Sequence, residues 1–598
     1  MSISREKAWI LTFEYAGVVK VGGLGEVPAN QARNLANNYD ISVFMPSHGQ
    51  IEHLQKKAQF ERLPFVCVGQ LDPQTLGISD AESSYAIAFY KFKQGNVDLI
   101  LLSGENDFTS KYLDDNVVYN PDTFAVKSCL YCIGMRNILE FLLREERSKI
   151  PNIVHLHDYH TVVPFIGLKQ ELAKNGLDVA SIITIHLLIG ERYGQDFYRA
   201  CGIDDTPISI MTDKGLVTMT ISEIFTTFQQ QDPNTGSVQP PKVEMIGAYL
   251  CDIVTTVSKS YLDSHIVPSL GLEQFGFKTD FVWNGCDWDF SNMINNVLYY
   301  FEEEMRTVLG LTSDVQITQD HMKTFLLTHK LSNLNQSPLI NSPKILQVLH
   351  ELSLTNPYIN NGNIKPFTDP GPLVLMTGRI SHQKGFETVF KAVPEVIKSV
   401  PNAKFLFLII PTDYSASEIK EYASNILIYP NNLRIIFGSS EQLLFLAHLA
   451  ADVYAALSRW EPFGIIALEA MASKLPVIAS NVGGFQESIL DIRQHPVDGT
   501  GMLIEKDNPA QFASALIDMF KLLEISKFGT EKELESFQAV NLISDAVLKS
   551  QALINKEYYN VIRENCYKRV ESQFRWSNVT KKLIGLYQKA RKLHSSSS

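Results

Sequence analysis

The segment Arg459-Trp460-Glu461-Pro462-Phe463-Gly464-Ile465-Ile466-Ala467-Leu468-Glu469 places a carboxylate, a glycine turn and a second carboxylate at the head of an apolar helix. Glu461 and Glu469 are a little over two helical turns apart, so both can lie along one side of a groove. Between them, Phe463, Gly464 and Ile465 would present free backbone N–H groups at a helix start, where an anion is favoured. Carboxylates accept hydroxyl protons and N–H groups hold phosphate, so the pattern suits a ligand that carries both. Alone, it is also what an acidic-capped core helix looks like.

Two upstream segments add charge of the complementary sign. In Thr377-Gly378-Arg379-Ile380-Ser381-His382-Gln383-Lys384-Gly385, Arg379 ends an apolar strand and Lys384 heads the next helix. Two fixed cations bracketing such a turn can neutralise a departing diphosphate. Lys20-Val21-Gly22-Gly23-Leu24-Gly25-Glu26-Val27-Pro28 follows the first strand and opens a helix, with Pro28 placed for its first turn. Glycines there let backbone approach a phosphate or sugar, and Lys20 offers a point charge. A tight strand-to-helix turn without a ligand is the alternative reading of that segment.

His155, His157, Asp158 and His160 end one strand, and His186 ends the next. His155 and His157 alternate on one strand face, and no cysteine or helical histidine pair completes a tetrahedral set. A structural or sugar-contacting role therefore outweighs a metal site. Cys129-x-x-Cys132 falls inside a helical run, and the seven cysteines have no framework spacing, so core packing is their expected role.

These residues need a scaffold that brings strand ends together. Strand-like runs at 9–13, 41–45, 97–102, 153–156, 181–185, 253–257 and 281–283 alternate with amphipathic stretches such as 28–37 and 126–144. The pattern restarts near Pro372, with strands at 373–377, 404–410, 433–437, 453–456 and 477–480 and helices at 386–399, 442–449 and 465–472. Such alternation predicts α/β modules with parallel sheets and right-handed crossovers, whose ligands sit at the carboxyl ends of the strands. The expected domains are residues 1–291, an irregular helical connection at 292–370, a second module at 371–565, and a terminal helix within 566–598. Residues 229–241 read as a mobile loop, and 595–598 as a frayed tail.

At 598 residues the chain is too long for one core, and a net charge of −12 argues against nucleic acid or membrane surfaces as partners. No apolar run reaches membrane-span length, and the amino terminus enters a strand without a leader-like segment, so the cytoplasm is the expected location.

Taken together, the segments resemble the glycogen and starch synthases, family five of the glycosyltransferases. The matching pieces are Lys20-Val-Gly-Gly-Leu-Gly-Glu-Val27, His155-Leu-His-Asp-Tyr-His160, Ala248 to Ser258, Trp283-Asn-Gly-Cys-Asp287, Gly378 to Gly385, and Glu461-Pro-Phe-Gly464. They occur in family order across most of residues 9–510. The two glutamates separated by seven residues are closer to the archaeal and family-four-like enzymes than to the bacterial ones.

The resemblance implies a GT-B architecture, two Rossmann-like doubly wound domains facing across a cleft, and a retaining glucosyltransferase. ADP- or UDP-glucose would be the donor and the non-reducing end of an α-1,4-glucan the acceptor, with no cofactor and no metal. By the same carry-over, Lys20, Gly22 and Gly23 approach the diphosphate and acceptor end, and Arg379 and Lys384 hold the diphosphate. Glu461 binds the donor glucose with backbone from Phe463, Gly464 and Ile465, and Glu469 takes the ribose hydroxyls. Asp158, His186 and Asn284 surround the transferred sugar. The loop after His186 departs from the family pattern and leaves acceptor identity open. A transferase making a disaccharide such as sucrose or trehalose shares the same cations and glutamates. A non-catalytic glucan-binding relative would have lost them. A phosphorylase would need a lysine-bound pyridoxal phosphate, for which no segment is assignable.

Overall fold

The computed structural model describes residues 5–79, 83–232, 235–340, 342–528 and 533–595. The chain forms two compact units, residues 1–284 with 576–598, and residues 285–575.

Unit 1 is built on a nine-stranded sheet in the order β13-β12-β7-β6-β1-β2-β5-β4-β3. Its strands are β1 (Lys7–Leu11), β2 (Asp40–Pro46), β3 (Phe60–Gln70), β4 (Ser84–Gln94), β5 (Val97–Gly104), β6 (Ile153–His157), β7 (Ala180–Ile185), β12 (Ile253–Thr256) and β13 (Thr279–Phe281). A separate hairpin, β8 (Ile208–Thr212) with β9 (Gly215–Met219), and a two-residue ladder, β10 (Gln230–Gln231) with β11 (Val238–Gln239), lie outside the sheet. That ladder falls in the stretch expected to be a mobile loop, of which 233 and 234 lie outside the described residues. The last three residues of the serine tail, 596–598, lie outside them as well.

The sheet is parallel from β13 to β5 and antiparallel from β5 through β4 to β3. The expectation of a purely parallel sheet is therefore corrected at this edge. β3 contains Pro64, a residue that breaks a ladder, and the register against β4 shifts between Arg62 and Val66 to pass it. An edge position with half its side chains in solvent tolerates the interruption.

The order of the sheet changes direction at β1, which lies between β2 and β6. A crevice opens where successive crossovers leave in opposite directions, outside the carboxyl ends of those strands. The 12–25 loop, Asp158, His186 and Asn284 all follow carboxyl ends in this sheet. The terminal helix Trp576–Ser595 lies within the expected 566–598 and packs on the helix Glu26–Leu35 and on β7 and β12. Arg591 pairs with Glu6 at 3.0 Å, and Lys582 pairs with Asp280 at 2.8 Å while covering the Phe281 ring.

Unit 2 carries a seven-stranded sheet in the order β14-β17-β16-β15-β18-β19-β20, parallel throughout. Its strands are β14 (Ile359–Asn360), β15 (Leu373–Arg379), β16 (Lys404–Ile410), β17 (Leu433–Phe437), β18 (Val453–Ala456), β19 (Val477–Ser480) and β20 (Gly501–Ile504). Near-continuous Val, Leu, Ile and Phe in β15 to β17 reflects burial on both faces beneath covering helices. Here the direction changes at β15, between β16 and β18.

Residues 292–370, expected as a connection, belong to this unit. The helix Gln319–Thr328 packs against Glu441–Ala450, and β14 extends the sheet beyond β17. Lys323 and Asp452 form a buried pair at 2.7 Å, and the same aspartate accepts the Leu373 amide at 2.8 Å. Breaking a pair this deep costs about 3–5 kcal/mol, so the segment is fixed to the unit's core. Helices were expected inside it; its polar composition concealed the strand β14 and the attachment to this unit.

Candidate active site

In unit 2, the turns leaving β15, β18 and β19 converge. Lys384 Nζ lies 2.7 Å from Glu461 Oε2, and Ser458 Oγ donates to the same oxygen at 3.1 Å. Among the described residues, Glu461 Oε1 has no partner and remains open as an acceptor. The stem of Lys384 runs over Gly378, whose φ of +148° and missing side chain let it return across the end of β15. Arg379 is exposed at that strand end and makes no ion pair among the described residues. A guanidinium left without a counter-ion beside a strand terminus is a ready anion contact.

The Glu461–Gly464 turn is clamped from below. Gly484 N donates to Glu461 O at 3.1 Å, and a Cβ on Gly483 would stand 1.8 Å from that oxygen. Gly464 has φ +87°, a conformation that side chains resist, and opens the helix Ile465–Ala472 without a side-chain cap. The amides of Phe463, Gly464 and Ile465 have no acceptor among the described residues. They form an N–H cluster at a helix start, next to Glu461. Glu469 lies within the same helix, half-buried and engaged by a neighbour. Arg459 does not face this cluster: it bonds Glu387, Asp507 and the His382 carbonyl, lacing the turn after β18 to the turn after β15.

In unit 1, Asp158 leaves β6 with φ 62° and ψ 174°, a region costly for any residue with a side chain. Its Oδ1 accepts the amides of His186 at 2.6 Å and Leu187 at 3.3 Å, tying the exits of β6 and β7 together. Burial pushes the Asp158 carboxyl up to about 8, against the pull of those two amides. His186 Nε2 meets His157 Nδ1 at 2.9 Å, and the rings stack. Burial holds His155, His160 and His186 down to about 3, so they act as neutral imidazoles. His155 is structural: its two nitrogens bond Tyr587 of the terminal helix at 3.1 Å and Thr184 at 2.7 Å. His160 packs on Phe13, and both its ring nitrogens lack partners among the described residues. Asn284 is buried, and its Oδ1 has no partner among the described residues.

The glycine loop differs from the sequence expectation. The amides of Val21 and Gly22 donate to Glu14 Oε2 at 2.7 and 3.1 Å, while Tyr119 donates to Glu14 Oε1 at 2.7 Å. Lys20 pairs with Glu26 at 2.6 Å on a half-exposed surface. A buried carboxylate thus holds the loop's donors, and an incoming anion would have to displace it. The Gly23 amide has no acceptor among the described residues.

Two residues escaped the sequence reading. Glu14 follows an apolar strand directly, and Glu244 interrupts an apolar helix; charge in so apolar a setting was the available signal. Glu244 Oε1 accepts the Ile189 and Gly190 amides at 2.9 and 2.8 Å, shaping the loop after His186, and its Oε2 is buried without a partner among the described residues.

Two doubly wound sheets, one carrying a cation–carboxylate pair and open helix-start amides at its switch point, define a GT-B glycosyltransferase. Residues 7–276 match the family model for the starch synthase catalytic domain, and residues 360–527 match that for glycosyl transferases group 1. The chain belongs to the glycogen and starch synthase family and is a hexosyltransferase of the glycogen synthase type.

Glycogen synthase 2 of Geobacter sulfurreducens is 23% identical over 521 residues, spanning 83% of this chain and 88% of the relative. A probable glycogen synthase of Methanocaldococcus jannaschii is 27% identical over 220 residues, 35% of this chain and 39% of that one. The fold is shared with the catalytic domain of starch synthase IV from Arabidopsis thaliana bound to ADP and acarbose. That match has a TM-score of 0.63 and 17% identity, and covers 98% of this chain and all of that one. No helix among the described residues is long and apolar enough to cross a membrane.

Proposed function

We propose that the protein transfers glucose from ADP- or UDP-glucose to the non-reducing end of an α-1,4-glucan, with retention at the anomeric carbon. The observation that carries this is the group at the exits of β15 and β18. It comprises Arg379, Lys384 bound to one oxygen of Glu461, the other oxygen, and the amides of Phe463, Gly464 and Ile465; among the described residues the guanidinium has no ion pair, and that oxygen and those amides have no partner. Cations and amides suit a diphosphate, and the open oxygen suits a sugar hydroxyl. Two of the three Lys384 protons are not taken by Glu461 and can face phosphate oxygens.

The acceptor hydroxyl oxygen forms a bond to the anomeric carbon on the face from which the diphosphate leaves. The bond from that carbon to the phosphate oxygen breaks, its electron pair goes to the phosphate, and the hydroxyl proton passes to that oxygen. Arg379 and Lys384 stabilise the developing charge, which we assign to them rather than to a divalent ion or cofactor. Glu469 is assigned to the ribose hydroxyls. Asp158, His186 and Asn284 are assigned to sugar hydroxyls, and Gly23 to the acceptor side. Support for a glucan acceptor comes from the glycogen synthase relatives, and for an adenine nucleotide from the ADP held by the starch synthase IV domain.

A donor-by-acceptor assay tests the reading, with ADP-glucose and UDP-glucose each offered glycogen, maltose, fructose and glucose 6-phosphate. Label entering glycogen and maltose, with or without EDTA, is the expected result. Transfer confined to fructose or glucose 6-phosphate would overturn the acceptor, and loss of all transfer in EDTA would overturn the metal-free charge balance.

A further inference from the structure

Five consecutive backbone amides in unit 1 are each held by a side chain from elsewhere in the fold. Those of His186 and Leu187 donate to Asp158 at 2.6 and 3.3 Å, that of Leu188 to the Tyr261 hydroxyl at 3.0 Å, and those of Ile189 and Gly190 to Glu244 at 2.9 and 2.8 Å. The acceptors stand on three different elements: the turn after β6, the short helix Lys259–Tyr261, and the helix Val243–Leu250. Ser258 Oγ accepts the Tyr261 amide at 3.1 Å and so fixes the tyrosine in turn. Beyond the five amides, Val243 N donates to Glu191 O at 2.8 Å and closes the loop onto the helix that carries Glu244.

Holding the loop this way is costly. Glu244 is fully buried, and its Oε2 has no partner among the described residues. A buried carboxyl oxygen left unbonded opposes folding. Ile189, by contrast, is 53% exposed, and Leu187, Leu188 and Gly190 are half-buried. Amides in so open a loop can bond to water, so burial alone does not call for a carboxyl group beneath them. The arrangement makes sense where one shape of the loop has to be kept, because a surface fixed beforehand loses little conformational entropy when a ligand arrives. What it presents follows from the same bonds. The amides are taken and residues 187–190 have no polar side chain, so the loop offers a ligand apolar surface and no donor.

We propose that Glu244, with Tyr261, is a positioning residue for the acceptor. It holds Leu187, Leu188 and Ile189 beside His186 as an apolar wall, and the acceptor hexose rests on that wall by its C–H face. Covering apolar side chains with the C–H groups of a sugar ring removes both from water, while the hydroxyls on the ring's edge stay free for polar residues. The assignment to the acceptor rests on the reading above, in which the diphosphate belongs to residues of unit 2 and the sugars to residues of unit 1. A diphosphate would find neither a cation nor a free amide in residues 187–190.

The test joins steady-state kinetics to amide hydrogen exchange in the full-length protein, with whichever acceptor the wild type takes in the donor-by-acceptor assay. A wild type that uses sugars other than glucans counts against the glucan reading alone, whereas one that uses no acceptor overturns both. Glu244→Leu removes the accepting oxygen at similar volume. It should raise the acceptor KM about five- to twentyfold, with donor KM and kcat within about twofold of wild type. The 186–191 segment should exchange at least about tenfold faster in this variant, with β7 still protected. Glu244→Gln keeps an oxygen for the two amides and should restore both acceptor KM and exchange, which a role of charge alone would not. Tyr261→Phe frees one amide and Ile189→Ala breaks none of these bonds; each should raise the acceptor KM about threefold. If Glu244→Leu does not fold, the exposed Ile189→Ala carries the test. Wild-type acceptor KM in Glu244→Leu or in Ile189→Ala would overturn the wall. A fall in kcat with both KM values unchanged, or a Glu244→Gln enzyme as impaired as Glu244→Leu, would overturn the positioning role.

Discussion

Removing either member of the Lys384–Glu461 pair should separate a catalytic loss from a structural one. At 2.7 Å, and with only 18% and 11% of the two side chains exposed, the gross attraction is about 6 kcal/mol at an effective dielectric constant of about 20. Desolvation offsets most of it, so the net coupling in a double-mutant cycle of Lys384→Met and Glu461→Gln should be about 1–3 kcal/mol. Glu461→Gln keeps the shape and an oxygen for Ser458, and Lys384→Met keeps the stem over Gly378, so each removes charge without opening a cavity. If Lys384 also stabilises the leaving diphosphate, Lys384→Met lowers kcat and kcat/KM together by about 10²–10³-fold, or about 2.7–4 kcal/mol. The assay is label transfer to glycogen at saturating donor, beside urea unfolding of each variant. A Lys384→Met enzyme within threefold of wild-type kcat would refute the role in the reaction. Stability losses that simply add in the double variant would refute the coupling.

Arg379→Lys should reduce kcat at least tenfold with unchanged unfolding, because a point charge cannot reproduce a two-pronged contact to phosphate; unchanged kcat in label transfer would count against the contact. Asp158 makes stability depend on pH. Its folded value near 8 lies above the unfolded value of 3.8, so between about pH 4 and 8 the folded state holds a proton that the unfolded chain has released. Stability therefore falls as pH rises through that window, by up to about 1.4 kcal/mol per pH unit, and Asp158→Asn should flatten the slope in urea midpoints taken at pH 5, 6.5 and 7.5. Gly483→Ala should push the Glu461 turn out of place, since the added carbon would lie 1.8 Å from a backbone oxygen; a loss of several degrees in melting temperature and of most activity is expected, and wild-type values for both would show that the turn can shift.

Much of this protein is written locally. Strand ends at Arg379, Asp158 and His186, the glycine turn at Gly464 and the helix after it were legible because apolar runs, turn residues and helix starts each leave a short-range pattern. The edge strand β3 was hidden by Pro64, whose tolerance depends on a register shift against β4. Residues 292–370 read as a linker because their polar composition says nothing of the buried Lys323–Asp452 pair that binds them to unit 2.

Tertiary structure alone decided which donors and acceptors are already spoken for. Lys20-Val-Gly-Gly looks like an anion loop in one dimension, yet Glu14, drawn in by the fold, takes two of its amides. His155, His157 and His160 look equivalent in sequence, but one is bound to Tyr587 some 432 positions away, one to His186, and one to no polar partner among the described residues. Residue type and spacing determine what chemistry a segment is able to offer. Which of its polar atoms stay free is a matter of long-range packing, because a buried donor or acceptor can pair only with what the fold brings beside it.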